Sequence, residues 1–161
     1  MQLKDKTGQL ANQELAAAIA KVDQNIKRFT DATPHLSDSL LFSDQLSGDG
    51  SWTGGFWFGM VALAAIAQRD PAKYADYLNA FKPFFTRRIR TGHKDHDLGF
   101  LYQLYAVNAY RLTNDLDYLE LAEQAARCLF ARFNPRGGYI RAWGPLAMEE
   151  RDGTLIADCM M

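Results

Sequence analysis

Two stretches of this chain carry the same kind of helix start 44 positions apart: Trp52-Thr53 opens one apolar segment and His96-Asp97 opens the next. The spacing recurs in the turns, where RDPAKY, ending at Tyr74, is echoed 44 positions on by TNDLDY, ending at Tyr118. Each unit is an apolar segment, a short Asp-containing turn, an amphipathic segment and a loop back. Such a helix hairpin cannot bury its apolar side alone, so it stacks on the next, with one helix of each pair facing inward and the other facing water. Two units do not distinguish an open solenoid from a closed ring. In either form the inner helices all start at the same end, which places Trp52, His96, Asp97 and Asp158 on one mouth.

Periodicity fills in the elements. Leu15, Ile19, Val22, Ile26 and Phe29 step by threes and fours, which predicts a helix over 12–33 with Asn12 as its cap and Pro34 as its end. Residues 53–69 are apolar on nearly every side and read as a buried helix. Pro71 is expected to open a third helix at its first turn, amphipathic through Tyr74, Leu78, Phe81 and Phe85. Residues 97–113 predict a fourth, mostly apolar helix. Residues 117–133 predict a fifth, with Leu121, Ala125, Cys128 and Leu129 inward. NPRGGYIRAWG reads as a turn with a short hairpin, and Asp158-Cys159-Met160-Met161 as the first turn of a sixth helix. The expected fold is all-α.

Composition narrows the partners. The net charge is −1, with 23% charged residues and no extended Lys/Arg cluster, which gives no reason to expect nucleic acid or a membrane surface. The apolar run Met60–Ala67 is too short to span a bilayer, and the N-terminal residues lack the apolar core of a secretory signal. Cys128 and Cys159 are well separated, which suits neither a metal motif nor a disulfide framework and points to a cytoplasmic location.

The densest chemistry is HKDHDLGF, residues 93–100. His93, Asp95, His96 and Asp97 raise the question of a metal. Gly92 and the basic turn before it favour a loop, and no Cys or Glu lies at a useful spacing, so no metal is expected. Asp97 and Asp158 each precede an apolar helix, where an aspartate is as readily an N-cap as a catalytic group. Trp52 and Trp143 have polar, flexible flanks that suit a rim better than a core. GDGSWTGG lacks the Gly-Lys-Ser/Thr ending of a phosphate loop.

Taken in order, SWTGGFWFGM at 51–60, HDLGFLY at 96–102, GGYIRAWG at 137–144 and IADCMM at 156–161 resemble the unsaturated glucuronyl hydrolases, glycoside hydrolase family 88. The resemblance runs from about Ala11 to the last residue. It implies an (α/α)6 barrel that acts on oligosaccharides ending in the unsaturated uronic acid left by polysaccharide lyases, with no metal or other cofactor. Carried over position by position, it implies that Asp158 is the general acid and base and Asp97 the second essential carboxylate. Trp52 and Trp143 would line the sugar site, with His96 supporting Asp97. The neighbouring unsaturated rhamnogalacturonyl hydrolases and a non-catalytic helical sugar-binding fragment are the alternatives.

The length departs from that pattern. Six repeats would need about 264 residues, whereas residues 1–161 hold five helices and the start of a sixth. The expectation is a single incomplete barrel domain, about its first half and truncated at the C-terminus, with apolar helix sides exposed and open to self-association. Weak activity is expected of the isolated chain.

Overall fold

The computed structural model describes residues 2–35, 37–38, 41–42, 52–91, 94–143 and 154–157. It is mostly helical, as the repeat demands. The helices are α1 (Gln2–Ile26), α2 (Gly54–Gln68), α3 (Ala75–Ala80), α4 (Lys82–Thr91), α5 (Leu98–Tyr102), α6 (Asn108–Thr113) and α7 (Leu116–Phe130). A π-helical turn, Gln103–Val107, joins α5 to α6 without leaving the right-handed helical region, so the two form one rod. Two small antiparallel hairpins complete the elements. β1 (Ser37–Asp38) pairs with β2 (Leu41–Phe42), and β3 (Phe133–Asn134) pairs with β4 (Tyr139–Ile140).

The 44-residue period is a property of the backbone. α2 begins at Gly54 and the α5–α6 rod at Leu98. Each ends on a left-handed residue, Arg69 at φ 54° and Asn114 at φ 57°. Each then turns through an Asp into a buried tyrosine, Tyr74 or Tyr118. The left-handed residue closes its helix and turns the chain back along it.

α2 and the α5–α6 rod pack side by side as the inner layer; α1, α3–α4 and α7 lie outside. Close approach of the inner pair depends on Gly55, where a Cβ would stand 2.8 Å from the Leu101 Cα and 3.0 Å from its carbonyl oxygen. The core between layers is aromatic. Phe58, fully buried on α2, meets Phe81, Phe85 and Tyr105 edge-on at centroid distances of 4.9, 5.4 and 4.8 Å. Tyr105 lies in the π turn, stacks on Phe85 at 3.8 Å and donates 2.7 Å to the Leu78 carbonyl. Its hydroxyl thereby satisfies a carbonyl near the end of α3, so a polar tip is buried without loss.

Several boundaries differ from expectation for local reasons. α1 runs straight through Asn12, which is therefore no cap, and stops at Ile26, eight residues before Pro34. Residues 29–35 leave the helix to bury Phe29, Ala32, Thr33 and Pro34, with Phe29 edge-on to Trp57 at 5.5 Å. Pro71 opens a turn rather than a helix: the Asp70 side chain accepts the Lys73 N–H, and α3 starts only at Ala75. α7 is capped by Asp115, which accepts the Asp117 N–H, and ends at Phe130 because Phe133 is already in β3. Asp158 and Cys159, with the expected sixth helix, lie outside the described residues, as does His93.

α2 is not buried all round. Phe56, Met60, Leu63 and Ile66 are 44%, 47%, 66% and 59% exposed, an apolar side that the described residues cover only in part.

Candidate active site

The start of the α5–α6 rod gathers three of the five predicted site residues. His96 is buried and lies immediately before Asp97, its Nε2 3.0 Å from Asp97 Oδ1. Its other nitrogen, Nδ1, is 2.9 Å from the Ala142 carbonyl oxygen, and its backbone N–H donates to that same oxygen at 3.1 Å. A carbonyl can only accept, so Nδ1 carries the hydrogen. Nε2 is thereby turned towards the Asp97 carboxyl. Trp143, next after Ala142, stands edge-on to the His96 ring with centroids 5.2 Å apart. The hairpin loop after α7 is thus brought against the helix start by one histidine.

Asp97 is not the cap of its helix. It occupies the N-cap position with φ −60° and ψ −19°, and its side chain makes no capping hydrogen bond. Asp95 does the local work instead: its Oδ1 accepts the Asp97 N–H at 3.1 Å, the same i to i+2 bond that Asp115 gives Asp117. Asp95 is buried, and the guanidinium of buried Arg88 lies 3.9 Å from its Oδ1. Carboxylate and imidazole atoms of Asp95, His96 and Asp97 lie within 4.8 Å of one another. The contacts just given engage each residue with protein groups, so the cluster is a hydrogen-bonded one.

Trp52 reaches the same helix start by another route. It is 50% exposed and packs edge-on to Phe56 at 6.1 Å and to Phe100 at 6.4 Å, with Phe56 and Phe100 5.5 Å apart. Phe100 lies one turn beyond Asp97. Trp143 is 38% exposed. Both tryptophans are therefore partly packed and partly exposed, as a rim that receives a sugar ring requires. Asp158 lies outside the described residues; Thr154, four residues before it, accepts the Ala142 N–H at 2.9 Å.

Sequence reasoning missed four residues here. Asp95 was visible only as one member of an acidic cluster. Phe56 and Phe100 were hidden in apolar helix runs, although their spacing from Trp52 and Asp97 is helical. Arg132 carried no signal, yet it is buried, with Nη1 donating 2.7 Å to the Lys94 carbonyl and Nε 2.9 Å to the Arg141 carbonyl.

Stacked helix hairpins that bring two tryptophans and a histidine-held carboxyl to one helix start define a helical-repeat architecture. No protein-family model matches the chain. The chain is 33% identical over 150 residues to the unsaturated glucuronyl hydrolase of Bacillus sp. strain GL1, covering 92% of this chain and 40% of that protein. It is 32% identical over 161 residues to an unsaturated chondroitin disaccharide hydrolase of Streptococcus pneumoniae, covering 94% of this chain and 39% of that one. Among solved structures, that of the Bacillus sp. GL1 unsaturated glucuronyl hydrolase, described as responsible for the degradation of glycosaminoglycan, superposes with a TM-score of 0.81 at 32% identity over 92% of this chain and 40% of the other. The chain belongs to the unsaturated glucuronyl hydrolase family, and its helices are part of that family's (α/α)6 barrel. It spans about 40% of the length of these relatives.

Proposed function

We propose that this chain carries the catalytic rim of a glycoside hydrolase that releases unsaturated uronic acid from lyase-generated glycosaminoglycan oligosaccharides. The observation that supports it most is the Asp97 carboxyl: it leaves its helix uncapped and is held by a buried histidine beside an exposed tryptophan. Relatives named for unsaturated glucuronyl and chondroitin disaccharide substrates favour glycosaminoglycan fragments over pectin fragments.

The substrate ring carries a C4=C5 double bond conjugated to a carboxylate. In our reading Asp158, protonated, delivers its proton to C4, and positive charge develops at C5 and the ring oxygen. The same residue, now a carboxylate, takes a proton from water as its oxygen adds to C5. The resulting hemiketal opens and expels the remainder of the sugar. Because the first step is hydration of an alkene, the carboxylate-spacing rule for ordinary glycosidases does not apply. Asp97 is the second carboxylate, oriented by His96. A carboxyl group close to another is harder to ionise, which helps keep the acid protonated. Trp52 and Trp143 hold the ring. No metal or other cofactor enters these steps.

We also read residues 1–161 as one incomplete barrel domain whose activity requires further barrel helices, from the same chain or from a second copy. No helix among the described residues is long and apolar enough to cross a membrane; the cytoplasmic reading rests on the thiol spacing, and the charge pattern supports no nucleic-acid or membrane partner.

The test is loss of the ultraviolet absorbance of the conjugated alkene in an unsaturated chondroitin disaccharide, using this chain extended by the length of the Bacillus relative that it lacks. Turnover that disappears in both Asp97→Asn and Asp158→Asn supports the assignment. Saturable binding with no turnover in the unsubstituted protein would favour the sugar-binding alternative.

A further inference from the structure

We propose that Arg132 is a positioning residue that acts through His96 to set the Asp97 carboxyl. The inference rests on the functional reading above for its consequence, and on geometry alone for its mechanism.

Arg132 lies in the turn between α7 and β3 and is buried to 4% exposure. A buried guanidinium needs acceptors, and among those that hold it here are main-chain carbonyls in two separate segments. Nη1 donates to the carbonyl of Lys94, two residues before His96. Nε donates to the carbonyl of Arg141, the residue before Ala142. The Arg141 N–H returns a bond of 3.1 Å to the Arg132 carbonyl, which extends the β3–β4 ladder by one pair.

The two carbonyls flank one contact. Between them, the Ala142 carbonyl accepts both the backbone N–H and the Nδ1–H of His96. The Ala142 N–H, facing the other way, holds Thr154 on the approach to Asp158. The planar fork of Arg132 therefore joins the loop before α5 to the strand that carries Ala142 and Trp143. It fixes the spacing over which His96 fits between Ala142 and Asp97. A lysine, with one compact ammonium head, cannot reproduce a rigid fork spanning both carbonyls. If the fork is lost, Ala142 moves relative to His96, the imidazole loses its fixed tautomer, and Asp97 loses its orienting partner.

The readout is the imidazole nitrogen spectrum of His96, assigned by its disappearance in His96→Gln and recorded for the unsubstituted chain, Arg132→Lys and Arg132→Met. The unsubstituted chain is expected to show a single Nδ1–H form. Arg132→Met is expected to lose it and give an averaged pair of nitrogens, with Arg132→Lys in between, while helical circular dichroism is retained in both. An unchanged Nδ1–H form in folded Arg132→Met would overturn the proposal, since Arg132 would then serve only the hairpin. Failure of both variants to fold would also overturn it, because positioning requires a fold that stands without the fork. None of these outcomes depends on turnover, so an inactive protein would count against the proposed function and leave this one to be judged separately.

Discussion

Asp95 and Asp97 are two residues apart, share one acidic cluster, and have different partners. Asp95 satisfies the Asp97 N–H and faces Arg88; Asp97 faces the His96 ring. The division gives opposite expectations for two neighbouring substitutions. Asp95→Ala removes a local hydrogen bond worth about 1 kcal/mol and strips buried Arg88 of a facing carboxylate, so its thermal midpoint should fall by several degrees. Asp97→Asn leaves that bond in place and should shift the midpoint little while abolishing turnover. Thermal unfolding followed by circular dichroism, beside the alkene assay, checks both. Titration adds a second expectation. Burial pushes the Tyr77 hydroxyl from its ordinary 10.0 up to about 12, and burial likewise raises Tyr102, Tyr105 and Tyr118. A group whose pKa is raised by folding contributes stability that is intact below its unfolded value and is lost as pH climbs towards the folded one. Stability should therefore decline from about pH 10 upward, and Tyr77→Phe should reduce the pH 10–12 part of that decline. On the acid side, hydrogen bonds from Lys73 and Lys82 hold Asp23 and Asp115 below 3.8. Their contribution is present above that value and fades as pH falls beneath it, measurable as a lower denaturation midpoint near pH 3.

Between elements, the decisive contact is α2 against the α5–α6 rod, because it sets how far the Trp52 side of the mouth lies from the Asp97 side. Gly55 permits it. Gly55→Ala forces a methyl group against the Leu101 backbone, and overpacking of that kind costs about 1–3 kcal/mol. A denaturant midpoint shifted by less than the equivalent of ~0.5 kcal/mol would show that the helices have slack there. The same scale shows which parts of the fold were legible. The 44-residue period was readable because it repeats chemical events that a backbone must obey: a helix start, a left-handed end, an Asp turn and a buried tyrosine. The ends of α1 and α3 were not readable. Asn12 could have capped a helix, and Pro71 could have begun one, but continuous helix-forming residues around Asn12 and the Asp70–Lys73 turn prevailed. The π turn was also hidden, since no residue of Gln103–Val107 signals it and Tyr105 within it is held by a tertiary bond to Leu78. Of the site, Asp97, His96 and Trp143 stood out as motif residues and are in contact or adjacent in the structure. Arg132 did not, because an isolated arginine after a helix looks like any solvated one until its carbonyl partners are known.

At the scale of the whole molecule, the described helices leave one side of α2 only partly covered, and beside it the groove between α1 and α2 is lined by Leu15, Ile19, Met60 and Leu63. In a ring of hairpins this side meets further helices. The isolated chain is therefore expected to self-associate, and Leu63→Lys with Ile66→Glu should shift it towards monomer in sedimentation velocity without loss of helical signal. A chain that is already monomeric at high micromolar concentration would contradict that expectation.

The proposal that Asp158 acts with Trp52, His96, Asp97 and Trp143 on one sugar is most directly tested by the decay of alkene absorbance in an unsaturated chondroitin disaccharide, measured on the barrel completed with the length of the Bacillus relative this chain lacks. Decay that is abolished by Asp97→Asn and, separately, by Asp158→Asn is the predicted result. Decay that persists when both are replaced together would contradict it.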